Sequence, residues 1–588
     1  MAIESLITDH LDLWTTAVRP KSSAGRGSNS KLELTGIKKL RELILELAVR
    51  GKLVPQDPSD EPAALLLERI AAKKAQLVKE GKLKKLKALP EISEKEKPFE
   101  LPKGWEWARI NDVLHLENGD RSKNYPNKTA LVEHGIPFVN AGQLNDGLVS
   151  KNELCFISKE RFDILSGGKF NDGDILFCLR GSLGKCAVVK NFGIGAIASS
   201  LVILRPYLSS ITDYIMLVIS APITSRNISK FNNGTAQPNL SGADLSKFVL
   251  PLPSLVEQHR IVAKVDELMA LCDQLEQQSE AQLAAHQTLV ETLLATLTDS
   301  GDANELAQNW ARLSTHFDTL FTTEASIDTL KQTILQLAVM GKLVPQDPSD
   351  EPASVLLERI AAEKAQLIKE KKIKKEKNIV DFEGLDGLKK QLPNSWEWIR
   401  LADTADLVRG GSPRPAGDPR FYGGNIPFLK VGDITRKKSK FVEGFNSTIT
   451  EAGLHKTRLI ETRTVLLSNS GATLGIPAIC TFSATFNDGV AAFVEQSKFI
   501  FDEYLYLYLS TISKWFLDIA SRGQGQPNLN TDIIKATWFA LPPLEEQHRI
   551  VARVDKLMAL CDHLQSRLQT SQQAQLALAE SLVEETLS

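Results

Sequence analysis

At 588 residues the chain is longer than one hydrophobic core serves, so two or more domains are expected. Hydrophobic residues at 43% and charged residues at 24% are ordinary for a soluble globular protein. The formal net charge of −2 excludes a broadly basic protein that coats nucleic acid, so any DNA contact must come from local patches.

The opening segment MAIESLITDHLDLW carries Glu4 and Asp9 and has no basic region ahead of an apolar run, so no signal peptide is expected in it. No stretch reaches the ~18 apolar residues of a membrane span, and a cytoplasmic location is expected. Cys155, Cys178, Cys186, Cys272, Cys480 and Cys561 form no CxxC pair and no Cys/His cluster. They are expected to be reduced, buried thiols, with no metal site.

A Ser/Gly-rich basic insert, RPKSSAGRGSNSK (19–31), reads as a loop. Leu40, Leu43, Ile44 and Leu47 then form a helical stripe that ends in a Gly-Lys-Leu-Val-Pro turn. Ser59 is expected to cap a second helix running through Leu66, Leu67, Ile70, Lys74 and Leu77. The Lys-rich runs at 73–97 and 369–377 read as solvated helix tails and linkers. From 101 to 255 short β-rich runs (IPFVN, DILFCL, CAVV, SLVILRP) alternate with Gly, Asn, Asp and Pro, and a helical stretch covers 212–231. After Pro253, Ile261, Val265, Leu268, Cys272 and Leu275 recur at coiled-coil spacing, and Leu289 and Leu293 would extend that seam. A helix over 256–298 would be ~64 Å long.

The sequence then begins again. LAVRGKLVPQDPSDEPAALLLERIAAKKAQLVKE (47–80) returns almost unchanged at 337–370, and EQHRIVAKVDELMALCDQL (257–275) returns at 546–564. LPKGWEWARI (101–110) is matched by LPNSWEWIRL (392–401), GIPFVNAGQL by NIPFLKVGDI, and Gln-Pro-Asn-Leu closes both interiors at 237–240 and 526–529. His10-Leu-Asp and His316-Phe-Asp are a weaker echo near the start of each copy. The helical flanks are nearly identical. The interiors agree in length and anchor points and differ elsewhere. One fold used twice with two different faces suits a chain that reads two different things.

In order and duplication, the Trp-Glu-Trp openings (105–107, 396–398), the GGSPR…YGGNIPFLKVGDI run (410–434), the Gln-Pro-Asn-Leu closings and the Leu-Pro…Glu-Gln-His-Arg-Ile helix starts resemble the specificity subunit of type I restriction–modification systems. The resemblance implies an α+β chain with two mixed target-recognition domains, separated by long antiparallel coiled-coil helices in a pseudo-two-fold tandem repeat. It divides the chain into a helical region at 1–100, a first recognition domain at 101–255, a helical spacer at 256–391, a second recognition domain at 392–545 and a distal helix at 546–588. It also implies a subunit without catalysis that selects a bipartite double-stranded DNA target. Two modification subunits would methylate adenine there with S-adenosylmethionine, and restriction subunits would use ATP and magnesium. No cofactor is expected in this chain. Helical spacers of fixed length would set the half-site distance.

Residues 101–255 hold 16 Lys and Arg against 13 Asp and Glu, and 392–545 hold 16 against 15, which is compatible with a local basic face. Major-groove reading asks for Arg or Lys at guanine and Asn or Gln at adenine, on loops that reach base edges. In the first domain the candidates are Arg121, Lys123, Asn140, Gln143, Arg180, Ser182, Asn232, Asn233, Thr235 and Gln237. In the second they are Arg409, Ser412, Arg414, Lys430, Asp433, Asn469, Ser470, Thr473, Arg522, Gln524 and Gln526. Gly-Asn-Asp loops are more often plain turns, and residues shared by both copies, such as the Gln-Pro-Asn-Leu closings, cannot discriminate half-sites. Arg121, Lys123, Arg180, Arg409 and Arg414 stand out, because Arg and Lys serve both phosphates and guanine.

Two rivals come from other classes. A self-contained DNA methyltransferase should carry an Asn/Asp-Pro-Pro-Tyr/Phe tetrapeptide, whereas Leu541-Pro-Pro-Leu544 lacks both ends. Gly184-Lys185-Cys186 only echoes the end of a P-loop. His259 and His548, each with an Asp seven residues on (Asp266, Asp555), sit in repeated helix starts where a capping or interface role outweighs catalysis. A pure coiled-coil scaffold explains the heptads but not two β-rich domains with diverged loops.

Overall fold

The computed structural model describes residues 3–20, 32–84, 89–145, 147–231, 239–301, 303–375, 379, 385–437, 439–521 and 528–587. Most of the 19–31 insert therefore lies outside the described residues. The chain is mixed helix and sheet, and it divides into two compact units. One comprises 1–281 with 571–588, and the other 282–570. The unit boundaries thus cut each long helix, Leu255–Asp299 and Leu544–Leu587, near its middle.

In the first unit the stripe on helix Thr35–Val49 is buried, with Leu40, Leu43 and Ile44 fully enclosed. This helix runs antiparallel to the start of the long helix. Arg41 pairs with Asp273 (2.6 Å) and Glu276 (2.7 Å), while Gln56 beyond its end reaches Glu257 at 2.6 Å. Ile261, Val265, Leu268, Cys272 and Leu275 are all buried, as their spacing predicts. Leu289 is not: it is 50% exposed, and Val290, Leu294 and Leu297 are buried in its place. Unbroken 4-3 spacing from Leu275 through Ser279 and His286 would arrive at Leu289, so the buried Val290, Leu294 and Leu297 mark a seam shifted by one residue, which places Leu289 outside. Ser59 does not cap the next helix. Ala63–Lys79 follows Pro62 with no side-chain cap, and Ser59 instead donates through N (2.9 Å) and Oγ (2.7 Å) to Asp57 Oδ1.

The second unit repeats this layout. His10 and His316 both precede a short helix, so the weak echo does mark corresponding places. A continuous core runs from Val290 through Leu330 and Leu356 to Phe539 and Leu564. The borrowed helix ends dock alike. Arg50 and Lys52 donate to Leu587 O at 3.0 and 3.3 Å in the first unit, and Lys342 donates to Thr298 O at 2.7 Å in the second.

The β-rich segments form the expected domains. In the first, Ile175–Cys178, Cys186–Val188 and Leu201–Pro206 belong to a six-stranded sheet, and Ile136–Val139 to a five-stranded one. In the second, two four-stranded sheets hold Tyr422–Leu429, Thr464–Ser468 and Val490–Val494. The helix expected over 212–231 is broken in two, Thr212–Ser220 then Pro222–Phe231, and the second domain has a matching pair, Asp502–Thr511 then Ser513–Ala520. Pro222 has no N–H to continue the ladder, which accounts for the first break.

The Trp-Glu-Trp openings explain why the domain ends meet. Glu106–Arg109 pairs antiparallel with Val249–Leu252, and Glu397–Arg400 with Trp538–Leu541. This clasp delivers the chain to the long helix beside the first Trp. Trp105 Nε1 then donates to Glu257 Oε2, and Trp396 Nε1 to Glu546 Oε2, both at 2.9 Å. Gly51 and Gly341, at φ of +66° and +68°, lie under these indoles, where a Cβ would strike Pro102 and Trp105 or Pro393.

Candidate nucleic-acid interface

Both domains build one rim in the same way. In the first, Leu179 N donates to Ser200 O at 2.8 Å and Leu240 N to Leu179 O at 2.9 Å, which ties the Arg180 loop to the Asn-Leu of the closing motif. Arg180 and Asn239 form a β-bridge, and Arg180 Nε donates to Asn239 Oδ1 at 3.0 Å. In the second domain Asn469 N donates to Gly489 O at 2.9 Å, Leu529 N donates to Asn469 O at 2.8 Å, and Ser470 bridges Asn528. The buried Leu240 and Leu529 give the closings a structural role.

The first rim also gathers the 118–123 loop. Arg121 Nη2 reaches Ser199 O at 3.5 Å. The loop is pinned from below by Asp120, only 3% exposed. Asp120 accepts from Ser122 N at 2.6 Å and from Ser166 N and Oγ at 2.6 and 2.9 Å. Burial alone would raise the Asp120 carboxyl, but these serine hydrogen bonds outweigh it and hold the group at about 2. Arg121 and Lys123 stand exposed above this anchor, as do Arg180 and Ser182 on theirs.

The second rim is organised by Asp488. It accepts from Arg409 Nε through its carbonyl and from Ser412 Oγ through Oδ1, each at 2.6 Å. Arg409, Arg414, Lys430 and Thr473 are exposed, and Ser470 is half-buried beside Gly489. Thr473 Oγ1 lies 3.3 Å from Thr435 Oγ1. Several candidates are committed elsewhere. Gln143 is buried, with Oε1 accepting from Asn140 N (3.0 Å) and Nε2 donating to Glu153 O (3.1 Å). Asn140 Oδ1 accepts from Gly142 N at 2.7 Å. Asp433 accepts from Lys430 N at 2.8 Å and from Asn446 Nδ2 at 2.6 Å. These three hold local turns, as Asn and Asp commonly do. Asn232, Asn233, Thr235, Gln237, Arg522, Gln524 and Gln526 lie outside the described residues.

Asn469 is the odd member. It is fully buried, and among the described residues neither Oδ1 nor Nδ2 has a hydrogen-bond partner. The first domain places the buried Leu179 at the matching point. The sequence pointed to Asn469 as a polar loop residue and carried no signal that it would be enclosed.

The cysteines are unpaired, and burial pushes the Cys186, Cys272 and Cys561 thiols up to about 11. Among the described residues no helix is long and apolar enough to cross a membrane.

A repeated α+β domain with a shared anchoring scheme and a changed rim defines a protein that recognises with two faces. The chain belongs to the type I restriction modification DNA specificity domain family, whose profile matches residues 102–285 and 393–571. It is 42% identical to the Escherichia coli type I restriction enzyme EcoEI specificity subunit and 41% identical to the EcoAI specificity subunit of the same organism, each over 100% of both chains. The crystal structure of the HsdS subunit from Thermoanaerobacter tengcongensis is similar at 17% identity and a TM-score of 0.40, over 84% of this chain and 99% of that one.

Proposed function

We propose that this chain selects DNA for a type I restriction–modification complex and performs no chemistry itself. Each domain reads one half of a split target. Two modification subunits then methylate adenine with S-adenosylmethionine, and restriction subunits consume ATP with magnesium, all in the cytoplasm. The observation that carries this reading is the pair of rims: the same backbone ties hold Arg180 over a buried Leu179 in one domain and Ser470 over a buried Asn469 in the other. Equal frames with unequal faces suit two different half-sites.

Direct readers are sought among the exposed Arg121, Lys123, Arg180, Arg409, Arg414 and Lys430. The nearly identical helical flanks offer the same surface twice, which suits two copies of one modification subunit.

The test is co-expression with the modification subunit in a host lacking adenine methylation, followed by sequencing that detects N6-methyladenine. Two short specific blocks around a fixed gap are expected. A stable complex that leaves the genome unmethylated would overturn the reading.

A further inference from the structure

DNA reading makes no use of the His/Asp pairs at the two helix starts, and there the two copies differ. In the second copy the site is filled by the chain itself. Lys440 Nζ donates to Asp555 Oδ1 and Oδ2 at 2.7 and 2.8 Å and to Glu503 Oε2 at 2.9 Å. The Phe501 ring packs on the His548 ring with centroids 4.1 Å apart. Gln547 Oε1 accepts from Phe501 N at 2.7 Å.

The first copy keeps the acceptors and lacks the rest. Asp213 and Asp266 occupy the places of Glu503 and Asp555. Leu148 pairs in parallel with Val188 as Phe441 does with Ile479, so the residue matching Lys440 is Gly147, which has no side chain to offer. The place of Phe501 is taken by Ile211, buried in the core. Gln258 is 0% exposed, and its Nε2 is fixed to Pro253 O at 3.0 Å. Among the described residues its Oε1 is left without a partner, whereas Gln547 Oε1 has one. Among the described residues neither Asp213 nor Asp266 has an ion-pair partner. Gln258, Asp213 and Asp266, with Ser210 and His259, line a cavity of about 180 Å³.

We propose that this cavity binds the guanidinium of an arginine side chain supplied by a partner protein, an external counterpart of Lys440. Two carboxylates and one enclosed amide oxygen are all acceptors. A guanidinium offers five donors in one plane, against three on an ammonium, and its flat face can stack on the His259 ring. Leaving a buried carbonyl unpaired is unfavourable, so the site is complete only when a donor enters. The site belongs to the first copy alone, so two copies of one partner would not be held identically. The identity of that partner rests on the assembly proposed above; the cation site does not.

The test uses the full-length chain with ¹³C-labelled histidine and N-methylguanidinium as the probe. A saturable shift of the His259 ring resonance is expected, with none at His548. It should be lost in the Asp213→Asn/Asp266→Asn double variant, whose changed side chains are exposed. No saturable shift, an equal shift at His548, or binding that survives the double substitution would overturn the site. Methylammonium binding as tightly as N-methylguanidinium would overturn the choice of guanidinium. The same double variant should then bind one of two modification subunits at least ten-fold more weakly than the unsubstituted chain does. Unchanged affinity would overturn the partner's arginine while leaving the cation site standing. Failure of the unsubstituted chain to assemble would count against the proposed assembly.

Discussion

At Asn469 a polar side chain sits where its twin position holds leucine, and its enclosed amide has no partner among the described residues. Such burial costs about 1–3 kcal/mol. Asn469→Leu should therefore raise the stability of the second unit by that order, read as a shift in urea midpoint with an unchanged slope. If the same variant also loses recognition of one half-site, the polar group is kept for DNA. Arg414 is exposed on the second rim, and Arg414→Ala should weaken one half-site by about 1–3 kcal/mol if the residue reads a base. An equal loss on every sequence, with a shallower salt dependence, would make it a phosphate contact. Asp120 gives the opposite kind of test. Its folded-state carboxyl lies near 2, below the ordinary 3.8. Its contribution is therefore present above about 3.8 and lost as pH falls through about 2, and Asp120→Ala should abolish that part of the acid sensitivity. At this scale the sequence was informative about residue type and blind to surroundings. Arg121 and Arg180 could be chosen because their chemistry suits phosphate and guanine. Gln143 and Asp433 could not be set aside, because only the fold reveals that a local turn has already engaged their oxygens.

Among the elements, the repeated node of indole, carboxylate and carboxamide joins each β-clasp to its long helix. Gln346 and Trp396 both donate to Glu546, and Arg549 clamps Asp350 alongside, with its closer contact at 2.5 Å. Burial pushes the Glu546 carboxyl from 4.5 to about 6, although the two donors pull the other way. The folded state therefore holds a proton there that the unfolded chain releases near 4.5. This group's stabilisation is whole below 4.5 and fades as pH rises through about 6. Trp396→Phe removes one donor and should cost about 1–3 kcal/mol, more at pH 8 than at pH 5 because the ionised carboxylate needs donors most. Urea unfolding at the two pH values checks both the size and the sign. The sequence displayed these elements well, since Ile261 to Leu275 and Ile550 to Leu564 show their spacing plainly. It misplaced the continuation at Leu289 because unbroken 4-3 spacing leads there, whereas the buried seam resumes one residue on, at Val290. It gave Ser59 a cap's role that Asp57 nearby pre-empted by capturing the hydroxyl.

For the molecule as a whole, the duplication was the clearest signal, and it brought the two-domain architecture with it. Exchanging 101–255 for another domain of the family should change one half of the methylated sequence and leave the other intact. Alteration of both halves would end the modular view. What the duplication concealed was asymmetry. Lys440 and Gly147 occupy matching places only once strand register is known, because the interiors diverge too far for the pairing to be seen in the letters alone.

The division of the chain also fixes an order of events during synthesis. The first unit is completed by residues 571–588, where Leu587 O receives Arg50 and Lys52. The 289 residues of 282–570 separate the end of its main segment at 281 from that closing piece. At roughly 5–20 residues per second, the ribosome needs on the order of 15–60 s to bridge them. For that interval the half that emerges first waits for the half that emerges last, and a ribosome that stalls in the second copy leaves both unfinished.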